Sequence, residues 1–70
     1  MILKGEFLYL VNFSKNGKDY EMLFVDLNQV RIHLTYGWDL PFDESEVIKS
    51  DKKEIIYDKD GIKIKQIRLC

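Results

Sequence analysis

The chain has 70 residues, of which 46% are hydrophobic and 13% aromatic, and a formal net charge of −1. That length fits one small β domain over 1–70, and so much aliphatic and aromatic material argues against disorder. A net charge near zero leaves no global attraction to nucleic acid or an anionic membrane, the single cysteine, Cys70, excludes an intramolecular disulfide scaffold, and no apolar run reaches the length of a membrane span.

Lys4 and Glu6 interrupt any signal-peptide core, and Ile2 excludes N-myristoylation, so a cytoplasmic location is expected. Charge is unevenly spread. Residues 1–38 balance to zero, residues 39–60 carry eight acids and four bases, and residues 61–70 carry Lys63, Lys65 and Arg68 with no acid. The plain reading of such segments is a solvated face.

Gly5 to Ser14 reads as a strand. Lys15-Asn16-Gly17-Lys18 follows, and Asn-Gly between two apolar runs predicts a two-residue type I′ hairpin, because both residues accept a positive φ. The register is then fixed. Phe13 faces Tyr20, Val11 faces Met22 and Tyr9 faces Phe24 on one side, termed face A. Ser14 faces Asp19, Asn12 faces Glu21, Leu10 faces Leu23 and Leu8 faces Val25 on the other, termed face B. A slip of one residue would mix the two sets.

Val30, Ile32, Leu34 and Tyr36 alternate with Arg31, His33, Thr35 and Gly37, which predicts a third strand. A three-residue loop over Leu27 to Gln29 would set Ile32 opposite Phe24, Leu34 opposite Met22 and Tyr36 opposite Tyr20. It would leave Arg31 and His33 on face B. Pro41 ends the pattern, and Trp38, Leu40 and Phe42 are expected to fold over one end of face A. Asp43 is a candidate N-cap for a short helix or 3-10 turn near 43–49, with Glu46 three residues on.

Ser50 to Lys53 is a polar connection. Ile55-Ile56-Tyr57 is a strand by composition, and Asp58-Lys59-Asp60-Gly61 is a turn of two or three loop residues, with the register left open. Ile62 and Ile64 alternate with Lys63 and Lys65, then the apolar phase moves to Ile67 and Leu69. A β-bulge at Gln66 would keep all four aliphatics on one side and Lys63, Lys65 and Arg68 on the other. The expected fold is mainly β. It has about five antiparallel strands, a three-stranded meander plus a C-terminal hairpin, forming a small SH3-like barrel or curled sheet.

His33 is the only histidine, and no nucleophile lies near it in sequence. One His and one Cys make no zinc motif. Asp58 to Gly61 departs from a calcium loop, since Gly falls fourth instead of sixth. The carboxylates Asp39, Asp43, Glu44 and Glu46 lack the cleft that a two-carboxylate enzyme needs, and the glycines are isolated. No enzyme, cofactor or metal is therefore expected. A basic stripe of Lys63, Lys65 and Arg68 fits single-stranded nucleic acid, but Tyr9, Phe13, Tyr20, Phe24 and Tyr36 all fall on face A, the expected core. Lysines of that kind also guard an edge strand.

A protein partner fits better. Leu8, Leu10, Leu23 and Val25 gather on face B beside Arg31 and His33, and adjacent exposed aliphatics mark interfaces. The structural alternative is that the 43–69 segment covers them. The Trp38 loop with Asp39, Asp43 and Glu44 is a second contact candidate. The expectation is a non-catalytic protein-binding or accessory module. An inhibitor of a host factor encoded by a phage or other mobile element is one form of it, and a second copy of the chain is one candidate partner. The alternative is a nucleic-acid-binding barrel using Lys63, Lys65 and Arg68.

Overall fold

The computed structural model describes residues 7–50 and 52–69. The expected strand start at Gly5, the leader residues Ile2, Lys4 and Glu6, Asp51 of the polar connection, and Cys70 lie outside them.

The described residues are mainly β, with four antiparallel strands in one sheet that does not close. Strands β1 (Phe7–Lys15) and β2 (Lys18–Phe24) form the first hairpin, and β3 (Ile55–Lys59) and β4 (Ile62–Arg68) form the second. The spatial order is β2-β1-β4-β3. The first hairpin has the register that its turn dictates, from Lys15 opposite Lys18 to Tyr9 opposite Phe24. Asn16 and Gly17 have φ of 54° and 79°, as a type I′ turn requires. Asp60 and Gly61, at 54° and 78°, make the same turn between β3 and β4, so that loop has two residues.

The expected third strand is not one. Asp26 accepts a hydrogen bond from the Gln29 backbone N–H at 2.8 Å and caps a helix, α1 (Leu27–Ile32). The helix widens into a π turn at His33–Gly37, where the Trp38 N–H donates to the His33 carbonyl at 2.9 Å. The physical reason is a shared period. Positions that alternate at i and i+2 also contain i and i+4, which is one helix face. Val30 and Leu34 point inward and are fully buried, while Ile32 and Tyr36 point outward, Tyr36 being 74% exposed. This corrects the three-stranded meander to a two-stranded hairpin, so the described sheet has four strands instead of about five and does not close into an SH3-like barrel.

The core lies between face A and the segment from Leu27 to Val47. Val11 and Phe13 meet Ile64 and Ile62 across the sheet, and Phe24, Ile56 and Tyr57 belong to the same buried cluster. Val30, Leu34 and Val47 pack on top, and Trp38, Leu40 and Phe42 seal the edge, as their spacing predicts. The Trp38 ring sits 4.9 Å from Phe13 and 4.7 Å from Tyr20. The Lys15 ammonium donates to the Trp38 carbonyl, tying the hairpin end to the end of the π turn. The 3-10 turn Glu44–Glu46 falls where expected, with Asp43 accepting from the Ser45 N–H at 3.0 Å.

The bulge is also placed differently. Strand β4 runs in unbroken register against β1, from Ile62 opposite Phe13 to Arg68 opposite Phe7. The irregularity is in β3, between Ile55 and Tyr57, where Ile56 and Tyr57 are both buried. Without a bulge at Gln66, side chains alternate to the end. Lys63, Lys65 and Ile67 share face B, and Gln66 and Arg68 take the other side. The edge strands carry their own protection, charge on β2 and the bulge on short β3.

Candidate protein-docking face

Face B is built from the residues that the first hairpin aims away from the core. Leu10 stands opposite Leu23 on β2 and opposite Lys65 on β4, and Leu8 stands opposite Ile67. None of the described side chains that make up the core comes from face B. Leu23 is 56% exposed, and Val25, just past the end of β2, is 71% exposed. Leu8 and Leu10 are half-buried by their neighbours in the sheet. Among the described residues, the 43–69 segment borders this patch near Ile67 but does not lie over Leu10 and Leu23. Its strands extend the same sheet, and Leu40, Phe42 and Val47 pack on the opposite side.

Towards the hairpin turns the face becomes polar. Asn12 stands between Glu21 and Lys63, and Asp58 faces Lys63 from β3. A shallow open recess of about 490 Å³ lies there, with Ser14, Asp19 and Lys63 in its walls. The Ser14 hydroxyl donates to Asp19. At the other end, Lys65 pairs with Glu54 at 3.1 Å.

Of the residues expected to work together, Leu10 and Leu23 are brought together, with Leu8 two residues along β1 on the same face, and Val25 is exposed just past the end of β2. Arg31 and His33 are not, because they are on the helical segment above face A. The Arg31 guanidinium donates to Asn28 at 3.0 Å, and the His33 ring lies 5.1 Å from Phe24. Trp38 is wedged against Phe13 and Tyr20, so it supports the core more than it offers a contact. Asp39, Asp43 and Glu44 are exposed. Asp39 has a φ of 55°, in the left-handed region.

Asp43 accepts hydrogen bonds from the Ser45 hydroxyl and N–H, which hold its carboxyl below the usual carboxylate range, with Lys59 contributing at 3.9 Å. Lys59 is in turn held above its ordinary value, chiefly by Glu46 at 3.5 Å. The acidic segment is thus pinned to the β3–β4 turn. Its backbone is also tied down, since the Asp43 N–H donates to the Tyr57 hydroxyl at 3.1 Å. Among the described residues no three His, Cys, Asp or Glu side chains converge to hold a metal ion.

The proposed basic stripe is split. Lys63 and Lys65 are on face B, and Arg68 stands on the other side with its guanidinium 6.0 Å from the Phe7 ring. Lys52, Lys53, Lys65 and Arg68 do share an open recess of about 400 Å³ at the end of β4. The Gln66 amide holds the connection beside it, donating to the Ser50 carbonyl at 2.8 Å and the Lys53 carbonyl at 3.1 Å.

Compared with known proteins, the chain matches no family model, no curated protein and no solved structure. Its reading therefore stands on its own residues. Among the described residues, no helix is long and apolar enough to cross a membrane.

Sequence reasoning missed two members of the face. Ile67 and Ile55 both belong to it, Ile67 opposite Leu8 and Ile55 opposite Lys65. The signal for Ile67 was present. Uninterrupted alternation from Ile62 puts it with Lys63 and Lys65. For Ile55 there was no such signal, because the bulge after it depends on pairing with β4.

Proposed function

We propose that this chain is a small non-catalytic protein-binding module that docks through face B. The observation that carries the reading is the aliphatic strip of Leu8, Leu10, Leu23 and Ile67, on a sheet whose other face holds the core. Fully burying an exposed leucine or isoleucine is worth about 1.5–3 kcal/mol, and these partly covered side chains would each gain a fraction of that. A few of them supply the apolar centre of an interface, and the charged residues at the polar end of the face supply a rim. The exposed acidic ridge of Asp39, Asp43 and Glu44 is a second contact surface. Its charge suits a partner's basic groove, as an inhibitor of mobile-element origin would require.

The non-catalytic part rests on how the reactive groups are engaged. His33 contacts Phe24, and the hydroxyls of Ser14 and Ser45 are each bonded to a carboxylate. Binding of a nucleic-acid strand has one observation in its favour, the recess shared by Lys52, Lys53, Lys65 and Arg68. Against it, Phe13 and Phe24 are core residues, with Tyr9 and Tyr20 packed against them, so these rings are not laid out for base stacking.

The deciding experiment is capture from an extract of the source cell with immobilised chain, wild type against Leu23→Asp. The expected result is a saturable partner that Leu23→Asp loses while keeping its fold. Undiminished capture by Leu23→Asp would sink the reading. For the nucleic-acid alternative, anisotropy with a labelled single strand at low salt should stay flat. A steep, salt-sensitive rise that Lys65→Glu removes would replace the protein-binding reading.

A further inference from the structure

We infer that the occupant of face B is a second copy of this chain, stacked face to face about a two-fold axis that runs along the strands between β1 and β2. The inference rests on the reading of face B as a docking surface and goes further by naming what docks there. It comes from the order of side chains across the sheet. One row holds Glu21, Asn12, Lys63 and Asp58, from β2 through β1 and β4 to β3. The next holds Leu23, Leu10, Lys65 and Ile55. Edge strand β2 carries an acid beside its leucine, β1 carries a second leucine, and β4 carries two lysines, so β2 and β4 can answer each other across an axis that pairs the leucines.

A two-fold contact is isologous, so each residue pairing occurs twice. Rotation about an axis between β1 and β2 exchanges those strands. Leu23 then covers Leu10 of the second copy, and Leu10 covers its Leu23. The same rotation brings β4 of the second copy just past the β2 edge, where its Lys63 meets Glu21. Sheets stacked about 10 Å apart leave a lysine long enough to make that reach. Asp58 already stands opposite Lys63 within its own sheet, so the pair across the interface shares this cation with Asp58.

Two other placements are worse. An axis between β1 and β4 sets Leu23 on Ile55 and Leu8 on Ile67, but it also sets Leu10 on Lys65 and Glu21 on Asp58, which desolvates a cation and opposes like charges. An axis across the strands lays β4 on β4 and sets lysines against lysines. Of these three placements, the first alone sets leucine on leucine and acid near base without opposing like charges.

The test is sedimentation equilibrium of the full chain from about 5 to about 500 μM, the range in which a weak dimer dissociates. A monomer–dimer equilibrium is expected. Glu21→Lys and Lys63→Glu should each weaken it by about fivefold or more, and the double variant should return to within about threefold of the parent. Leu23→Asp should leave only monomer. Near-ultraviolet circular dichroism of Trp38, packed against Phe13 and Tyr20 beneath the other face, checks the fold of each variant without reporting on face B.

A dimer indifferent to Leu23→Asp, or one that the double variant fails to restore, overturns the proposed contact. A parent that stays monomeric while Leu23→Asp abolishes capture of another protein overturns the second-copy inference and leaves the docking reading standing. A monomer whose captured partner ignores Leu23→Asp overturns both.

Discussion

Asp26 accepts the Gln29 backbone N–H at 2.8 Å, and this contact sends the chain over face A as a helix instead of back along β2 as a strand. The cap satisfies one of the N–H groups that a helix start leaves without partners. Replacing it tests how much the helix depends on it. Asp26→Ala should cost about 1 kcal/mol in urea unfolding, and Asp26→Asn only a few tenths, since Asn caps nearly as well. Equal losses would mean that the carboxylate charge matters and the cap does not.

The two faces of the sheet should respond differently to truncation. Ile64, opposite Val11, is fully buried. Ile64→Ala should cost about 2–4 kcal/mol, a large share of the roughly 4–10 kcal/mol expected for a chain of this size. Ile67→Thr, three residues on and facing away from the core, should stay within about 0.5 kcal/mol. Urea unfolding at low protein concentration separates the two, and similar losses at both sites would contradict a one-sided core.

Most of the first hairpin was legible because its turn admits one register. Asn16-Gly17 accepts positive φ at both central positions, and every pairing from Lys15 to Tyr9 follows from it. Val30 to Tyr36 was misread because alternation and i, i+4 spacing select the same residues over so short a run. The cue that separates them is Asp26 with Gln29 three residues later, a cap pattern just before the apolar positions. The strand order was not legible locally. No turn connects β1 to β4, and they meet because Val11 and Phe13 bury against Ile64 and Ile62. The aliphatic half of the candidate face followed from the hairpin register, whereas Arg31 and His33 were assigned to it only through the strand that proved to be a helix.

Tyr9 gives the fold a dependence on alkaline pH. Burial pushes its hydroxyl above the ordinary value, and the negative charge of Asp26 pushes in the same direction. The folded state therefore holds this proton more tightly than the unfolded chain does. The resulting stability is complete below about pH 10, the ordinary tyrosine value, and is lost as pH rises through the higher folded value. Tyr9→Phe should flatten the fall in melting temperature above that pH. An unchanged slope would show that Tyr9 ionises as freely in the fold as outside it.

Asp43 acts at the acid end. Its carboxyl is held low by Ser45 first and Lys59 last, so its contribution is present above the ordinary aspartate range and fades as pH falls through the lower folded value. The group is exposed, and solvent screening keeps the effect small. Titration followed by carboxyl NMR shifts should find Asp43 below its ordinary value in the parent and moved part of the way back in Ser45→Ala, where the backbone N–H bond and Lys59 remain. A carboxyl that ignores Ser45→Ala would remove this contact as the cause.

The central claim is that this sheet has one buried face and one docking face. The most direct measurement is the amide ¹H–¹⁵N correlation spectrum of Leu23→Asp beside that of Ile64→Asp. The account predicts a dispersed, native-like spectrum for Leu23→Asp, with changes confined to face B and its neighbours, and a collapsed, unfolded spectrum for Ile64→Asp. Collapse of the Leu23→Asp spectrum as well would make face B part of the core and contradict the account.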